Sequence, residues 1–342
     1  MLGKTESPET HFGHSVRAMY EVYPYPSPIA GDSLIEDVAN GLYALFGERS
    51  LKGWRVLDAG CGTGHRLVAV ARRYPGASFV GIDMTTASLD VAKRLARKHG
   101  VGNLRLEHGD ILHLDVPGEF DLVICTGVIV CLDNPQKGVE NLAARLAPDG
   151  MLFTWLYDAV GEHERLLDRE LLHLMLGRDR GVERAVEVMR DLGLRLNVDQ
   201  YGSSAAQLPG EVSQLNIDVD AYVHPIVNVF RFDQAIALCS QCRELGWAAI
   251  NSVNLLGTSR LIDLSEAEQS DMRYFCQSVN DLFAHESLRK RFRDLQMLEK
   301  LRALEIKLKP TGFTLLAGRG QSYRSLGARI LGNTCAFERD TI

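Results

Sequence analysis

Asp58, Gly60, Gly62 and Gly64 occupy alternate positions in VLDAGCGTGH, residues 56–65, where an apolar run passes into a helical pattern. Glycine at alternate positions lets the backbone turn tightly and come close to a ligand. The helix start that follows presents amides to an anionic or polar group. Asp58, just before the loop, suits a ligand with an ammonium group better than a pyrophosphate. Asp83 ends the next apolar run, SFVGID, roughly 20 residues after the last glycine, where a carboxylate binds both hydroxyls of a ribose. Asp110 follows a third run in HGDIL. It is placed to accept from the exocyclic amine of adenine, with Ile111 offering an apolar face to the ring. Together these residues form a nucleoside site at the ends of strands.

The elements that must position them alternate. WRVLDAG, SFVGID, NLRLEHGD, FDLVICTG and GMLFTWLY read as short strands, and HRLVAVARRY, TTASLDVAKRLARKHG and NPQKGVENLAARLA as helices between them. Short apolar strands alternating with helices predict a parallel sheet covered on both faces, and ligands in such sheets lie beyond the carboxyl ends of the strands. A helix is expected over about 33–46. After Tyr157 the alternation stops: two helices are expected over 162–193, then a polar, glycine-containing stretch to about 225. FDQAIALCSQCRELG reads as helix, WAAINSVNLL as strand, about 265–307 as a second helical insert and GFTLLAG as a last strand. The organisation expected is an arm (1–30), a core (31–157), a helical insertion (158–230), a return to the core (231–264), a second insertion (265–307), a last strand (308–320) and a tail (321–342).

These residues carry a family resemblance. Residues 54–157 are similar to the core of a class I S-adenosylmethionine-dependent methyltransferase. VLDAGCGTG matches its cofactor signature, FVGID its acidic site on the second strand and GDI its adenine site. The resemblance implies a doubly wound, mostly parallel seven-stranded α/β sheet of Rossmann-like type with helical insertions. It implies S-adenosyl-L-methionine as cofactor, S-adenosyl-L-homocysteine as product, and no metal. Gly60, Gly62 and Gly64, with Cys61 and Thr63 between them, would approach the methionine part. Asp83 and Met84 would hold the ribose, Asp110 and Ile111 the adenine. Thr126, Gly127 and Val128 would line the cofactor near the reacting sulfur. A nicotinamide or flavin site needs G-x-G-x-x-G with a later glycine, and His65 to Leu67 lack it.

The segment YEVYPYPSP, residues 20–28, resembles a tyrosine–proline arm of one bacterial branch of this family. Its prolines argue for an extended, ordered arm rather than a helix. Tyr20, Tyr23 and Tyr25 are expected to cap the pocket, one hydroxyl meeting the cofactor carboxylate, with Tyr23 also a catalytic candidate. DAYVHP, residues 220–225, resembles the same branch and puts His224 near the pocket mouth, where its near-neutral pKa suits a general base. A histidine before proline also reads as a turn residue. His11 and His14 are weaker candidates. Many small-molecule members carry histidine just after the fourth strand, where this chain has Cys131 between Val130 and Leu132; its thiol reads as packed. Cys239 and Cys242 read as core, since zinc needs about four ligands. The basic run 287–307 reads as an amphipathic helix with a solvated face.

Of 342 residues, 46% are hydrophobic and 24% charged, the balance of a globular protein with a core. Lys plus Arg (38) minus Asp plus Glu (44) leaves −6, against a broad nucleic-acid surface. The seven cysteines form no secreted disulfide pattern. No apolar run reaches the roughly 20 residues of a membrane span, and the first residues lack a signal-peptide core. These features lead to the expectation of a cytoplasmic methyltransferase for a small molecule or peptide side chain, with helical inserts as dimer surfaces. The other readings are an RNA methyltransferase and a non-catalytic cofactor-binding scaffold.

Overall fold

The computed structural model describes residues 16–25, 31–46, 51–178, 180–197, 211–242, 245–251, 261–262 and 283–319. His11, His14, the tail and much of the second insert lie outside them.

The first strands follow from their apolar runs. β1 (Arg55–Ala59), β2 (Ser78–Asp83), β3 (Leu104–His108), β4 (Phe120–Thr126) and β5 (Leu146–Tyr157) are mutually parallel. The sheet continues with β6 (Leu245–Asn251), β7 (Leu261–Ile262) and β8 (Gly312–Arg319), in the order β3-β2-β1-β4-β5-β8-β6-β7. β8 runs antiparallel to both β5 and β6. The seven expected strands are present, and the eighth is the two-residue β7 at the edge. β5 begins earlier than the sequence suggested: it pairs at Leu146, then shifts register before Met151.

Side chains alternate across the strands, so Leu57, Val123 and Cys125 enter one core and Val56, Leu122 and Ile124 the other. α2 (Asp37–Phe46) and α3 (His65–Arg73) cover the second face. α5 (Pro135–Ala143) and α9 (Phe232–Ser240) cover the first, as does the helix Met297–Leu308. α4 (Thr86–Lys98) packs beside β2 and β3. Cys239 and Cys242 are buried in the first core, as expected of packed thiols.

The insertion builds a third core. α6 (His163–Leu176) and α7 (Val182–Asp191) are the two expected helices. The stretch read as polar and irregular also holds α8 (Glu211–Asp218), continued by a π-helical turn, Val219–Val223. Leu172, Val186, Met189, Val219 and Val223 bury one another there, together with Met19 of the arm. The arm corrects a second expectation: Val16–Val22 is helix α1, including Tyr20, and ends before Pro24. The residue before a proline is driven out of helical geometry, which is where α1 stops. The long basic segment is likewise two helices, α10 (Glu286–Asp294) and α11 (Met297–Leu308), broken at Leu295 and Gln296.

Candidate active site

Gly60, Gly62 and Gly64 have φ of +85°, +53° and +75°, the left-handed region that side chains disfavour. Close approach reinforces the choice. A Cβ on Gly60 would lie 2.4 Å from a methyl of Val128, so the tips of β1 and β4 touch. The loop amides have partners within the chain. Gly60 N and Cys61 N donate to Ile82 O at 2.8 and 2.9 Å, and Gly64 N to Cys61 O at 3.0 Å. Thr63 N donates to Tyr25 O at 3.3 Å, and Gly62 N to Asp83 Oδ2 at 2.8 Å. A diphosphate cradle needs those amides for its ligand, so this loop is built for a different group.

Asp83 is set in place by the chain. Its Oδ1 accepts from Thr85 N at 2.9 Å and Thr85 Oγ1 at 2.8 Å. The carboxylate is half-buried at the end of β2 with its orientation fixed before any ligand arrives. Asp58 is buried behind the loop, and among the described residues no donor reaches its carboxylate. Burial, with the Asp83 charge adding to it, pushes its pKa up to about 7 against the opposing pull of Arg66. A buried carboxyl without a donor accommodates a cationic group, and the amino group of a methionine tail is one. Loop, ribose carboxylate and buried Asp58 therefore fit S-adenosylmethionine.

The remaining loop-side residues are placed less uniformly. Thr126 ends β4, and Gly127 N donates to Trp155 O at 3.2 Å. Ile111 is buried, but Asp110 turns its carboxylate onto its own short helix, accepting from Leu112 N at 2.9 Å and meeting His113 Nδ1 at 3.0 Å. Met84 follows Asp83, its carbonyl 3.0 Å from His108 Nε2.

The three tyrosines of the arm part company. Tyr25 lies over the glycine loop, its carbonyl taking Thr63 N and, at 3.4 Å, Thr63 Oγ1. Its side chain is hydrogen-bonded to Arg66, whose Nε donates to both oxygens of Asp37 at 3.1 and 2.9 Å. Tyr23 packs against the buried side chains of the insertion, and among the described residues nothing ties its hydroxyl to the loop. Tyr20 donates to Asp220 Oδ1 at 2.6 Å. Its side chain lies beside Cys131, whose Sγ donates to Gly127 O at 3.4 Å. Cys131 is partly buried and packs against the first core, as read from the sequence, with its thiol on Gly127 O.

His224 is not at a mouth. It is 1% exposed, its ring edge-on to Tyr20 with centroids 5.5 Å apart. Nδ1 accepts from Ile226 N at 3.1 Å, which uses the lone pair a base at that nitrogen would need. The turn reading of this histidine matches its geometry.

Sequence reasoning missed Asp220 and the two arginines behind it. Arg165 and Arg169 are buried on α6. Arg165 Nη1 and Arg169 Nη1 donate to Ala221 O at 2.5 and 3.2 Å, and Arg169 Nη2 to His224 O at 2.6 Å. Arg165 also pairs with Glu162 and lies over the Tyr157 ring at 4.6 Å. Cations at carbonyls that end a helix are favourable, and these two hold the widened π turn on which Asp220 sits. Nothing in the sequence around Arg165 and Arg169 hints at this, because both guanidiniums act on backbone atoms brought in from more than 50 residues along the chain.

A methyltransferase domain family matches residues 50–175. Residues 50–175 thus carry a methyltransferase domain. The chain is 33% identical over 177 residues to an uncharacterised protein of Synechococcus sp., covering 49% of this chain and 42% of that protein. It is 34% identical over 122 residues to a ubiquinone biosynthesis O-methyltransferase of Coxiella burnetii, covering 33% of this chain and 51% of that one. The structure of PKMT2 from Rickettsia typhi in complex with AdoHcy superposes with a TM-score of 0.55 at 19% identity, covering 83% of this chain and 53% of that chain. The chain spans about half the length of the curated relatives it matches. The methyltransferase domain contains the glycine loop, Asp83 and Cys131, while Asp220 and His224 lie beyond it. Among the described residues no helix is long and apolar enough to cross a membrane.

Proposed function

We propose that this chain transfers a methyl group from S-adenosylmethionine to a small molecule or a peptide side chain. The observation that carries the reading is the loop itself, with amides donated to Asp83 and Tyr25 and a donorless carboxyl, Asp58, buried behind it. When bound, S-adenosylmethionine supplies an already activated methyl group, so the protein's tasks are orientation, desolvation and proton removal.

Each task has residues suited to it. Asp83, fixed by Gly62 and Thr85, would hold the ribose. Asp58 would face the amino group, and Ile111 the adenine ring. Thr126, Gly127 and Val128, at the tip of β4, would border the reacting end. The arm crosses the loop at Tyr25 and is gripped by the insertion through Asn216 Nδ2, which donates to Pro24 O at 2.8 Å. That bridge would keep water from the site. Isothermal calorimetry with S-adenosylhomocysteine tests the proposal. Binding to the wild-type chain, weakened at least about tenfold (about 1.4 kcal/mol) by Asp83→Ala, is the expected result; no heat with the wild type overturns it.

A further inference from the structure

Asp220 stands out among its neighbours. From Asn216 to Ile226 every other residue is buried, and Asp220 alone is half-exposed. It lies in a π-helical turn, a rare geometry that recurs at functional sites, and two buried arginines lock that turn through Ala221 O and His224 O. Among the described residues its Oδ1 takes the Tyr20 hydroxyl and its Oδ2 takes nothing. Tyr20 also lies beside Cys131, whose thiol donates to Gly127 O at the tip of β4. The tyrosine thus brings a carboxylate beside the residues that follow β4.

We infer that Asp220 is the proton acceptor of the transfer, its Oδ2 beside the moving methyl group, and that the site takes N–H or O–H nucleophiles that must shed a proton. This rests on the methyl-transfer reading above. As the acceptor's nitrogen or oxygen bonds to the methyl carbon, the carbon–sulfur bond breaks with its electron pair left on sulfur. The acceptor's proton passes to Asp220 Oδ2. The charges around it come from every side: Tyr20 on α1, Cys131 after β4, Tyr157 on β5, Arg165 and Arg169 on α6, and Arg66 on α3. Burial raises the Asp220 pKa while Tyr20 and the arginines oppose the rise, which brings a carboxyl toward the range useful to a base.

A carboxylate at the methyl position prefers a cation there. Sinefungin, which carries an ammonium group where S-adenosylmethionine carries its methyl, is compared by calorimetry with S-adenosylhomocysteine, whose thioether is uncharged. The wild type is expected to favour sinefungin. Asp220→Asn should cut that preference at least about tenfold while S-adenosylhomocysteine binding stays within about twofold, and Asp220→Glu should restore most of it. Tyr20→Phe, which releases Oδ1, should reduce the preference severalfold and decides the matter if Asp220→Asn does not fold. An unchanged preference in Asp220→Asn, or equal weakening of both ligands, overturns the inference and leaves the cofactor reading intact. A wild type that binds neither ligand overturns both.

Discussion

The carbonyl oxygen of Tyr25 lies 2.7 Å from where a Cβ on Gly62 would stand. The arm therefore rests directly on the glycine loop, and the contact is between backbones, which cannot yield as a side-chain tip can. Gly62→Ala meets both this collision and a φ of +53°. It should destabilise the chain by about 2 kcal/mol and lift the arm. The check is a lower urea midpoint together with faster hydrogen exchange at Thr63 N.

Asp58 makes the loop a source of pH-dependent strain. Its folded pKa, about 7, lies above the ordinary carboxyl value of 3.8. The folded chain thus holds a proton that the unfolded chain has lost, and stability falls as pH rises between those values and then levels off. Asp58→Asn should be more stable than the wild type above pH 7, by about 2–4 kcal/mol, with the gap closing toward pH 4. It should at the same time bind S-adenosylhomocysteine more weakly, since the amino group loses its carboxylate.

A second buried acid pair lies away from the site. Asp158 ends the β5 segment, where its Oδ1 accepts from Val160 N at 2.7 Å and Gly161 N at 3.3 Å. Burial first, and then the Glu305 charge, raise its pKa to about 8. Glu305 is buried on α11, Oε1 accepting from Phe232 N at 2.8 Å and Oε2 from Arg302. The direction is again one of stability lost as pH climbs, here from about pH 4 to 8. Glu305→Gln keeps an oxygen for Phe232 and removes the repulsion. It should flatten the loss without abolishing it, gaining about 1 kcal/mol at pH 9 and little at pH 5, as read by thermal unfolding across pH.

Arg169 is the most demanding of the buried charges. Burial, then Arg165 beside it, lowers its pKa to about 9, so it stays charged at neutral pH. Arg169→Leu strands His224 O, leaves Ala221 O to Arg165 alone and loosens the turn that carries Asp220. A loss of about 3 kcal/mol is expected, with Arg169→Lys recovering part of it. Calorimetric Tm values for the two variants check the order.

The parallel half of the sheet and its ligand loop were legible in the residues because their causes are local. Apolar runs of strand length, glycines where φ must be positive and a carboxylate at a strand end each act within a few residues of themselves. Asp83 was found for that reason, and so were the helices His65–Arg73 and Thr86–Lys98. The arm and α8 were not legible. α8 has too weak an apolar face to announce a helix, and Tyr20 looked like part of an extended arm, though it lies in the last turn of α1.

What the amino-acid sequence determined alone is a Rossmann-like sheet with a glycine loop and a carboxylate at its strand tips. What tertiary structure decided is which polar groups meet there. Tyr20 and Asp220 are 200 residues apart, His224 is buried instead of exposed, and Arg165 and Arg169 spend their charge on distant carbonyls. Such pairings depend on how the insertion folds back over the arm, and the packing of Met19 among Leu172, Val186 and Val219 sets that fold. Apolar contact is non-directional, so no spacing along the chain encodes the partner each polar group finally meets.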